Sequence, residues 1–294
     1  MADINDPRTL HPKIDPPQQE QPHPGLDAKL EPKADLGLET YEGTGRLTGR
    51  KALITGGDSG IGAAVAIAFA REGADVAISY LPEEQPDADV IIKAIEDAGR
   101  KALALPGDLQ EREQCEKIVA DTVAAFGGLD ILVNNASRQI WHDGIGNIPD
   151  EDFDATMKSN VYSAFRVTKA ALPHLQPGAS IIFTSSIQAY QPSPHLLDYA
   201  LTKAAMNNLS KGLAEQLAPE GIRVNAVAPG PVWTPLQPSH GQPPEKIGEF
   251  GQHTPLGRAG QPAELAGAFV FLASDEASYV MGETLGVTGG TPTP

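Results

Sequence analysis

The hydrophobic positions of this chain change their spacing at about Arg50. From there, short runs of β-branched and aliphatic residues alternate with amphipathic segments of helical length, a pattern typical of βαβ units and a parallel sheet. The runs are nearly continuous in apolar residues, which predicts strands that are buried on both faces. Seven strands are predicted, in KALITGG, ADVAISYL, KALALPGD, LDILVNNA, SIIFTSS, RVNAVAPG and ETLGVTGG.

The segments between these strands predict helices near residues 60–72, 86–99, 111–126, 150–175, 198–218 and 262–273. Strands that alternate with helices in this way predict a single α/β domain over residues 49–294, built on a doubly wound parallel sheet. Residues 231–260 resist assignment because they are rich in Pro, Gly and Gln. We call this stretch the lid segment, since long loops in compact domains often close over a ligand.

The first 48 residues differ in pattern from the rest of the chain. They are rich in proline, alternate in charge and show almost no apolar periodicity, which makes an independent core implausible. We predict an extended arm over residues 1–48, which is either disordered or packed across the domain or a sister subunit. Its candidate anchors are Leu26, Leu30, Leu36, Leu38 and Tyr41.

Composition narrows the class of partner. The chain has 294 residues, 40% of them hydrophobic, and a formal net charge of −16. That charge repels phosphate backbones and anionic lipid surfaces, so we expect no nucleic acid and no membrane as a partner and favour a small molecule. Cys115 is the single cysteine, which forbids an internal disulfide. With no secretory leader and no apolar run of roughly 18 to 20 residues, the sequence predicts a cytoplasmic protein.

A glycine-rich turn follows the first strand. The stretch TGGDSGIG, residues 55–62, stands between that strand and a helix that begins with AAVAIAFA. Gly56 permits the bend, Gly60 lets the backbone approach a pyrophosphate, and Gly62 lets helix and strand pack closely. Strand, turn and helix in this order predict a Rossmann-type dinucleotide site. The other predicted contacts in the turn are Asp58, Ser59 and Ile61.

The ends of the next strands should meet the same ligand, because the carboxyl ends of parallel strands share one edge of the sheet. The second strand ends with neither a carboxylate nor an arginine for the adenosine ribose, while Asp58 adds negative charge near the turn. The sequence therefore favours NAD over NADP without excluding NADP. Predicted contacts are Ser79, Tyr80 and Leu81 after the second strand, Asp108 and Leu109 after the third, and Asn134, Asn135 and Ala136 after the fourth.

The stretch YALTK places Tyr199 and Lys203 at positions i and i+4 of a predicted helix, and so on one face of it. In a cleft, an ammonium beside a phenol can favour the phenolate and lower the pKa of the phenol. A solvated surface pair is the alternative, because this spacing also arises by accident. The surroundings of the pair must decide between the two interpretations.

Together these motifs resemble the short-chain dehydrogenase/reductase family in order and spacing over about 50–290. The resemblance is carried by TGGDSGIG, NNAS, KSNVYSAF, FTSSIQAY, YALTK and PGPVWT. The runs SSIQAYQPSPHLLDY and GPVWTPLQ are similar to those of a bacterial branch with a proline-rich N-terminal arm, described as general-stress or aldehyde-reductase-like oxidoreductases. The resemblance implies NAD or NADP as cofactor and a homotetramer, which is common in the family.

The resemblance also implies a catalytic tetrad of Asn160, Ser186, Tyr199 and Lys203. Ser186 is preferred to Ser185 because its spacing before Tyr199 is the one that the family keeps. From the resemblance alone, Asn160 is expected to steady a water that joins Lys203 to solvent and completes a proton path.

Two stretches are expected at the nicotinamide half of the cofactor. The family's NNAG reads NNAS here, so Ser137 places a side chain where glycine lets the nicotinamide ribose come close. In PGPVWT, the backbone of Val232 and the hydroxyl of Thr234 can hydrogen-bond a carboxamide, while Pro229 and Gly230 fix the exit from the sixth strand. Cofactor contacts are thus predicted on both sides of the cleft.

These residues predict an oxidoreductase that transfers a hydride between NAD(P)H and the carbonyl of an aldehyde or ketone, or the reverse on an alcohol. Tyr199 would act as general acid or base, with its pKa lowered by Lys203 and by the oxidised cofactor. Ser186 would hydrogen-bond the substrate oxygen. The alternative is an NAD(P)-binding redox sensor that does no chemistry.

A serine hydrolase and a metal site find little support in the sequence. Ser186, His195 and Asp198 lie near one another in sequence, but no GxSxG elbow surrounds the serine. The other histidines show no metal-ligand spacing, so no metal is expected. The side chains that could line a substrate pocket, or equally pack elsewhere, are Gln139, Trp141, Gln188, Tyr190 and Trp233.

Overall fold

The seven predicted strands pair in parallel in one sheet. The computed structural model describes residues 4–293, so residues 1–3 of the predicted arm and residue 294 of the predicted domain lie outside it. The strands are β1 (Lys51–Thr55), β2 (Asp75–Tyr80), β3 (Ala102–Pro106), β4 (Ile131–Asn134), β5 (Ser180–Thr184), β6 (Arg223–Pro229) and β7 (Thr284–Val287). Their order across the sheet is β3-β2-β1-β4-β5-β6-β7. The strand order therefore reverses between β1 and β4, and the predicted Rossmann-type α/β fold is confirmed.

The helices lie on both faces of the sheet. They are α1 (Gly60–Arg71), α2 (Gln85–Asp97), α3 (Arg112–Phe126), α4 (Asp150–Met157), α5 (Ser163–Ala171), α6 (Leu197–Leu217) and α7 (Pro262–Ala273). The single helix predicted over 150–175 is interrupted, because a π-helical turn, Lys158–Tyr162, joins α4 to α5. Such turns add a residue to the helix and are frequent at functional sites.

Burial on both faces holds for the inner strands but not for the edges. Every residue of β4, β5 and β6 is buried, whereas most residues of β3 and β7 are partly or fully exposed. The prediction was wrong for these two because an edge strand has a neighbour on one side only. One apolar layer packs α1, α2 and α7 on the sheet, and a second packs α3, α5 and α6 on the other face.

The described part of the arm packs along the domain. Leu30 is fully buried in an apolar cluster that also contains Ile14, Trp233 and Ile247, the last two from the lid segment. The indole Nε1 of Trp233 donates a hydrogen bond to the carbonyl of Pro32 at 2.8 Å. The anchors that pack partly buried against the main core are Leu36, Leu38 and Tyr41. The arm and the lid segment are therefore joined by apolar contacts and by hydrogen bonds.

The C-terminal end of the arm is held by Glu72, which follows α1. Its buried carboxylate accepts hydrogen bonds from the Tyr41 hydroxyl at 2.6 Å, the Thr44 N–H at 2.9 Å and the Arg46 guanidinium at 2.7 Å. Burial alone would raise the pKa of Glu72, but these donors outweigh it and lower the pKa to about 2. The carboxylate is therefore a charged anchor between arm and helix.

Four carboxyl groups are buried together where the arm meets the first two βα turns. Asp27 accepts a hydrogen bond from the Gly60 N–H at 2.8 Å, and Asp87 accepts the backbone N–H of Asp27 at 2.6 Å. Burial raises the pKa of Asp27 and of Glu84 to about 7, and it raises the pKa of Asp58 and Asp87 as well. These carboxyl groups therefore hold protons at a pH where exposed ones have lost them.

We expect Glu72→Ala to lower the free energy of unfolding by about 2 kcal/mol or more, because the charge-assisted hydrogen bonds from Tyr41, Thr44 and Arg46 are lost. Glu276→Ala is the matched control, since its exposed carboxylate lies 3.9 Å from the same Arg46. That change should cost about 0.5 kcal/mol or less. Urea unfolding of the two variants measures both values, and equal stabilities would contradict the anchor role of Glu72.

The pH dependence of stability should follow the buried carboxyl cluster. The folded chain holds the Glu84 proton up to about pH 7, whereas an exposed glutamate, with its ordinary pKa of 4.5, loses it earlier. The folded state thus binds more protons in between, so stability is highest below the unfolded pKa and falls as pH rises through 7. Glu84→Gln should remove about 1 to 3 kcal/mol of that fall, measured by Tm between pH 5.5 and 8. Glu83→Gln, at an exposed neighbour, should leave the slope unchanged.

Candidate active site

A cavity of about 270 Å³ lies at the carboxyl ends of the strands, where the strand order reverses. All but two of the predicted cofactor contacts line it. From the glycine turn and β2 come Gly56, Asp58, Ser59, Gly60, Ile61, Ser79, Tyr80 and Leu81; from the following loops and α6 come Asp108, Leu109, Asn135, Ala136, Ser137, Tyr199, Lys203, Pro229, Gly230, Val232 and Thr234. The exceptions are Gly62, which packs beneath the turn, and Asn134.

The turn before α1 has room for glycine alone at several positions. A Cβ on Gly62 would stand 1.8 Å from the Gly56 carbonyl oxygen, and one on Gly60 would stand 2.9 Å from Cγ2 of Thr234. Gly57, which the sequence did not single out, would clash with Ile78 at 2.5 Å. Backbone this closely packed at a helix N-terminus exposes N–H groups to a bound anion. The cradle therefore fits the pyrophosphate of a dinucleotide.

Polar side chains tie the turn to the end of β4. The Thr55 hydroxyl accepts the backbone N–H of Asn135 at 2.9 Å, and the Asn135 amide donates to the Gly56 carbonyl at 2.9 Å. The Thr184 hydroxyl, at the end of β5, donates to the other end of that amide at 3.1 Å. Neither threonine was predicted, because a hydroxyl at a strand end has no signal of its own. Asn134 turns away from the cavity and bonds Thr168, so its prediction was wrong.

Tyr199 and Lys203 lie together in the first turns of α6, and both side chains are buried at the cavity. The ammonium lies 5.2 Å from the centroid of the phenol ring and donates to the Thr184 carbonyl at 2.9 Å. The surface-pair interpretation is therefore excluded. The phenol and the ammonium lie buried on one face of α6, and both point towards the end of β5.

The expected lowering of the Tyr199 pKa does not occur in the protein alone. Burial raises the pKa of Tyr199 to about 12, although the Ser186 hydroxyl opposes that rise. Burial also lowers the pKa of Lys203 to about 7. Desolvation disfavours the charged form of both groups, and it outweighs the attraction between them.

The two candidate serines have different partners. Ser185 donates its hydroxyl to the Lys203 carbonyl at 3.1 Å and so ties β5 to α6. Ser186 accepts the Gln188 N–H at 3.1 Å, in the extended conformation that begins a 3-10 turn. That bond leaves the hydroxyl proton of Ser186 available to a ligand in the cavity. The geometry thus favours Ser186, in agreement with its spacing.

Asn160 lies in the π-helical turn between α4 and α5 and does not line the cavity. Its amide oxygen accepts the Arg138 N–H at 2.7 Å, and its amide nitrogen donates to the Arg138 carbonyl at 2.9 Å. The same nitrogen lies 3.0 Å from the Thr202 hydroxyl. Asn160 therefore joins three elements around the site: the loop after β4, the turn and α6.

The lid segment and the arm close the outer side of the cavity. The lid segment pairs with itself through a bridge between Val232 and Gly260 and contains two short helical turns, Gln237–Gly241 and Pro244–Glu249. Residues 23–25 of the arm also line the cavity. Nothing in the sequence indicated this, because the arm has no apolar periodicity that could place it.

Of the candidate pocket residues, Gln139 and Gln188 line the cavity. Trp233, itself part of the lid segment, is wholly buried, and Trp141 stacks on His195 with ring centroids 4.5 Å apart. The fifth candidate, Tyr190, lines a separate shallow depression.

The described residues form neither a hydrolase triad nor a metal site. Asp198 Oδ1 and Oδ2 have no hydrogen-bond partner among residues 4–293, and His195 Nδ1 lies 3.1 Å from the His142 carbonyl, so the Asp198–His195 pair that the hydrolase triad requires is absent there. Among residues 4–293, no group of three or more His, Cys, Asp or Glu side chains could hold a metal ion.

Several polar atoms at the cavity have no hydrogen-bond partner within the described chain. They are Asp58 Oδ2, Ser79 Oγ, Ser137 Oγ, Arg138 Nε and Gln237 Oε1. Buried polar groups without partners are costly, so a site that holds five of them suits a polar ligand. Together with the anion cradle, they fit a dinucleotide that has a sugar and phosphates to bond.

Comparison with known proteins identifies the family. A family model described as enoyl-(acyl carrier protein) reductase matches residues 56–292. The chain is 57% identical to the uncharacterized oxidoreductase YghA of Escherichia coli, covering 99% of each chain. It is 42% identical to NADPH-dependent aldehyde reductase 1, chloroplastic, of Arabidopsis thaliana, covering 93% of this chain and 96% of that protein.

A solved structure leads to the same family. A short-chain dehydrogenase from Burkholderia cenocepacia in complex with NADP is 35% identical, with a TM-score of 0.77 over 83% of this chain and 98% of that one. In residues 4–293, no helix is both long and apolar enough to cross a membrane. The motifs, the sheet and these relatives agree, and the chain belongs to the short-chain dehydrogenase/reductase family.

Proposed function

We propose that this protein reduces the carbonyl of an aldehyde or ketone with NAD(P)H, or oxidises the corresponding alcohol. The observation that carries the proposal is the burial of Tyr199, Ser186 and Lys203 side by side in the cavity whose other end is the glycine turn. A phenol, a hydroxyl and an ammonium in that position can protonate and hold an oxygen on which charge develops.

Tyr199 is the proposed proton donor. With a pKa of about 12, its phenol keeps its proton at neutral pH, which suits the protonation of a carbonyl oxygen in the reductive direction. Lys203, with a pKa of about 7, can hold or release a proton over the physiological range and thus return one to the phenol after turnover. We propose that Asn160 supports this pair by fixing the loop after β4 against α6.

NAD(P)H, when bound, supplies the hydride. The cradle formed by Gly56, Ser59 and Gly60 would hold its pyrophosphate, while Val232 and Thr234 would hold its carboxamide. The lid segment would then close over it and exclude water. The residues of the chain thus bind and orient both reactants.

The charge of Asp58 bears on whether the site accepts NAD or NADP. The preference for NAD rested on a negative charge at Asp58, but burial raises the pKa of that carboxyl well above its ordinary range. A protonated acid donates a hydrogen bond to a phosphate instead of repelling it. The Arabidopsis thaliana relative is named for NADPH, and the Burkholderia cenocepacia structure holds NADP. We therefore propose that the site accepts NADP as well as NAD.

We also propose that the protein assembles as a homotetramer. Large apolar side chains are exposed on α4, the π-helical turn, α5 and α6. A single exposed apolar residue is ordinary, but several on one surface indicate a contact with another protein. The exposed side chains are Phe153, Tyr162, Phe165 and Leu201. A partner subunit that packs on this surface would remove these side chains from water.

Tyr199→Phe should lower kcat for aldehyde reduction by about 100-fold or more, because the ring stays and the acid is lost. The Kd for NADPH, measured by nucleotide fluorescence, should stay within about twofold of the wild type, since the lost hydroxyl is one contact among many. Tyr279→Phe is the control at a fully exposed tyrosine. Ordinary turnover by the Tyr199 variant would refute the assignment.

A kinetic screen of aldehydes, ketones and alcohols with NADPH, NADH and their oxidised forms tests the function itself. We expect steady, aldehyde-dependent loss of absorbance at the nicotinamide band with both reduced cofactors, since burial raises the pKa of Asp58 and so weakens its repulsion of a 2′-phosphate. Binding of a cofactor without consumption by any substrate would instead favour a redox sensor.

A further inference from the structure

The arm lines the cavity beside the lid segment. Residues 23–25 belong to its lining, together with Asp108 of the wall predicted to meet adenine and Gln237 of the lid segment. Partial burial lowers the pKa of His23, and the charge of Arg138 lowers it further. The arm, one wall of the crevice and the lid segment therefore meet at one cavity.

Specific contacts hold this part of the arm in place. Gln21 donates its backbone N–H to the Pro238 carbonyl at 2.9 Å, and its side-chain amide bonds both the N–H and the carbonyl of Leu26. The loop between these residues is thus closed on itself and fastened to the lid segment. A Cβ on Gly25 would stand 2.6 Å from the Pro235 carbonyl oxygen, so this loop lies against the lid segment without room for a side chain.

The arm also completes the turn that would bind the pyrophosphate. Asp27 accepts the N–H of Gly60, the first residue of α1, at 2.8 Å. Ser59, in the N-cap position, makes no side-chain capping bond with the described residues, so the arm supplies the cap from a distant part of the chain. The second oxygen of Asp27 is buried without a hydrogen-bond partner there. Asp87 holds the backbone of Asp27 at 2.6 Å and so fixes its approach.

We propose that residues 21–27 of the arm are part of the cofactor-binding site: they close the outer wall of the crevice and fix the glycine turn through Asp27. This inference rests on the proposed function, because NAD(P)H must bind in the crevice. Asp27 acts through Gly60 and is a positioning residue. Because the arm closes the outer wall of the crevice, bound cofactor leaves when residues 21–27 lift from the lid segment. The contacts of these residues with the lid segment therefore set the dissociation rate of the cofactor.

Gly25→Ala in the full chain tests whether the arm forms the outer wall of the crevice. The added methyl group would push the arm away from Pro235, so the dissociation rate and the Kd of NADPH and NADH should both rise about fivefold or more, with kcat at saturating cofactor nearly unchanged. Nucleotide fluorescence in stopped-flow displacement measures both constants. Gly146→Ala is the matched control, because a Cβ there meets nothing within 4 Å. It should bind and release cofactor as the wild type does.

Asp27→Ala and Asp27→Asn test the positioning role. Alanine removes the acceptor for the Gly60 N–H, so the Kd for NADPH and the KM for cofactor should rise about fivefold or more while kcat changes little. Asparagine retains an acceptor oxygen and should restore the Kd to within about twofold of the wild type. A residue that served the fold alone would lower Tm and leave the Kd of the folded protein where it was.

The outcomes separate the inference from the function on which it rests. Wild-type affinity and release rate in both Gly25→Ala and Asp27→Ala would show that the arm is outside the cofactor site, with the proposed function intact. A wild-type protein that binds neither NADPH nor NADH would instead remove the proposed function, and the role of the arm with it. Weakened binding in both variants, with rescue by Asp27→Asn, is the result we expect.

Discussion

The site depends on one close approach, that of helix α1 to the turn at the end of β1. A side chain at position 62, the third residue of α1, would meet the Gly56 carbonyl oxygen at 1.8 Å, so the helix can approach the turn this closely only with glycine there. The approach turns the positive end of the helix dipole towards the crevice, where Asp27 accepts the N–H of Gly60. Thr55 and Asn135 then tie the exit of β4 to the same turn. A single steric constraint thus positions the anion cradle and the loop that faces it.

At the other end of the crevice, desolvation decides the charge of the pair on α6. Burial leaves Tyr199 with a pKa of about 12 and Lys203 with a pKa of about 7, so each favours its neutral form more than it would in water. A phenol that keeps its proton is a donor, which suits reduction. Proximity along a helix indicates that two groups can interact, but the sign of the resulting pKa shift depends on how much water the fold removes around them.

Much of the fold and the site could be predicted from local patterns. The strands, the glycine turn and the Tyr199 pair were found because each depends on a few neighbouring residues in fixed order. Three features escaped for the opposite reason. Exposure of β3 and β7 depends on their places in the sheet, the turn around Asn160 depends on a distant loop, and the contact of Asp27 with α1 joins residues 33 positions apart in the chain. None of these follows from periodicity.

The buried acids beside the anion cradle raise a question of charge, since a dinucleotide brings further negative charge to a chain whose formal net charge is already −16. Burial answers it in part: it raises the pKa of Asp27 and Glu84 to about 7 and that of Asp58 well above its ordinary range, which favours their neutral forms and reduces their repulsion of a phosphate. Ligand charge nearby would raise these pKa values further, so binding of the cofactor and uptake of protons are thermodynamically linked. Asp27, one of these buried acids, also joins the arm to the turn. The charge at the adenosine end of the crevice thus depends on the packed arm as well as on the residues that touch the ligand.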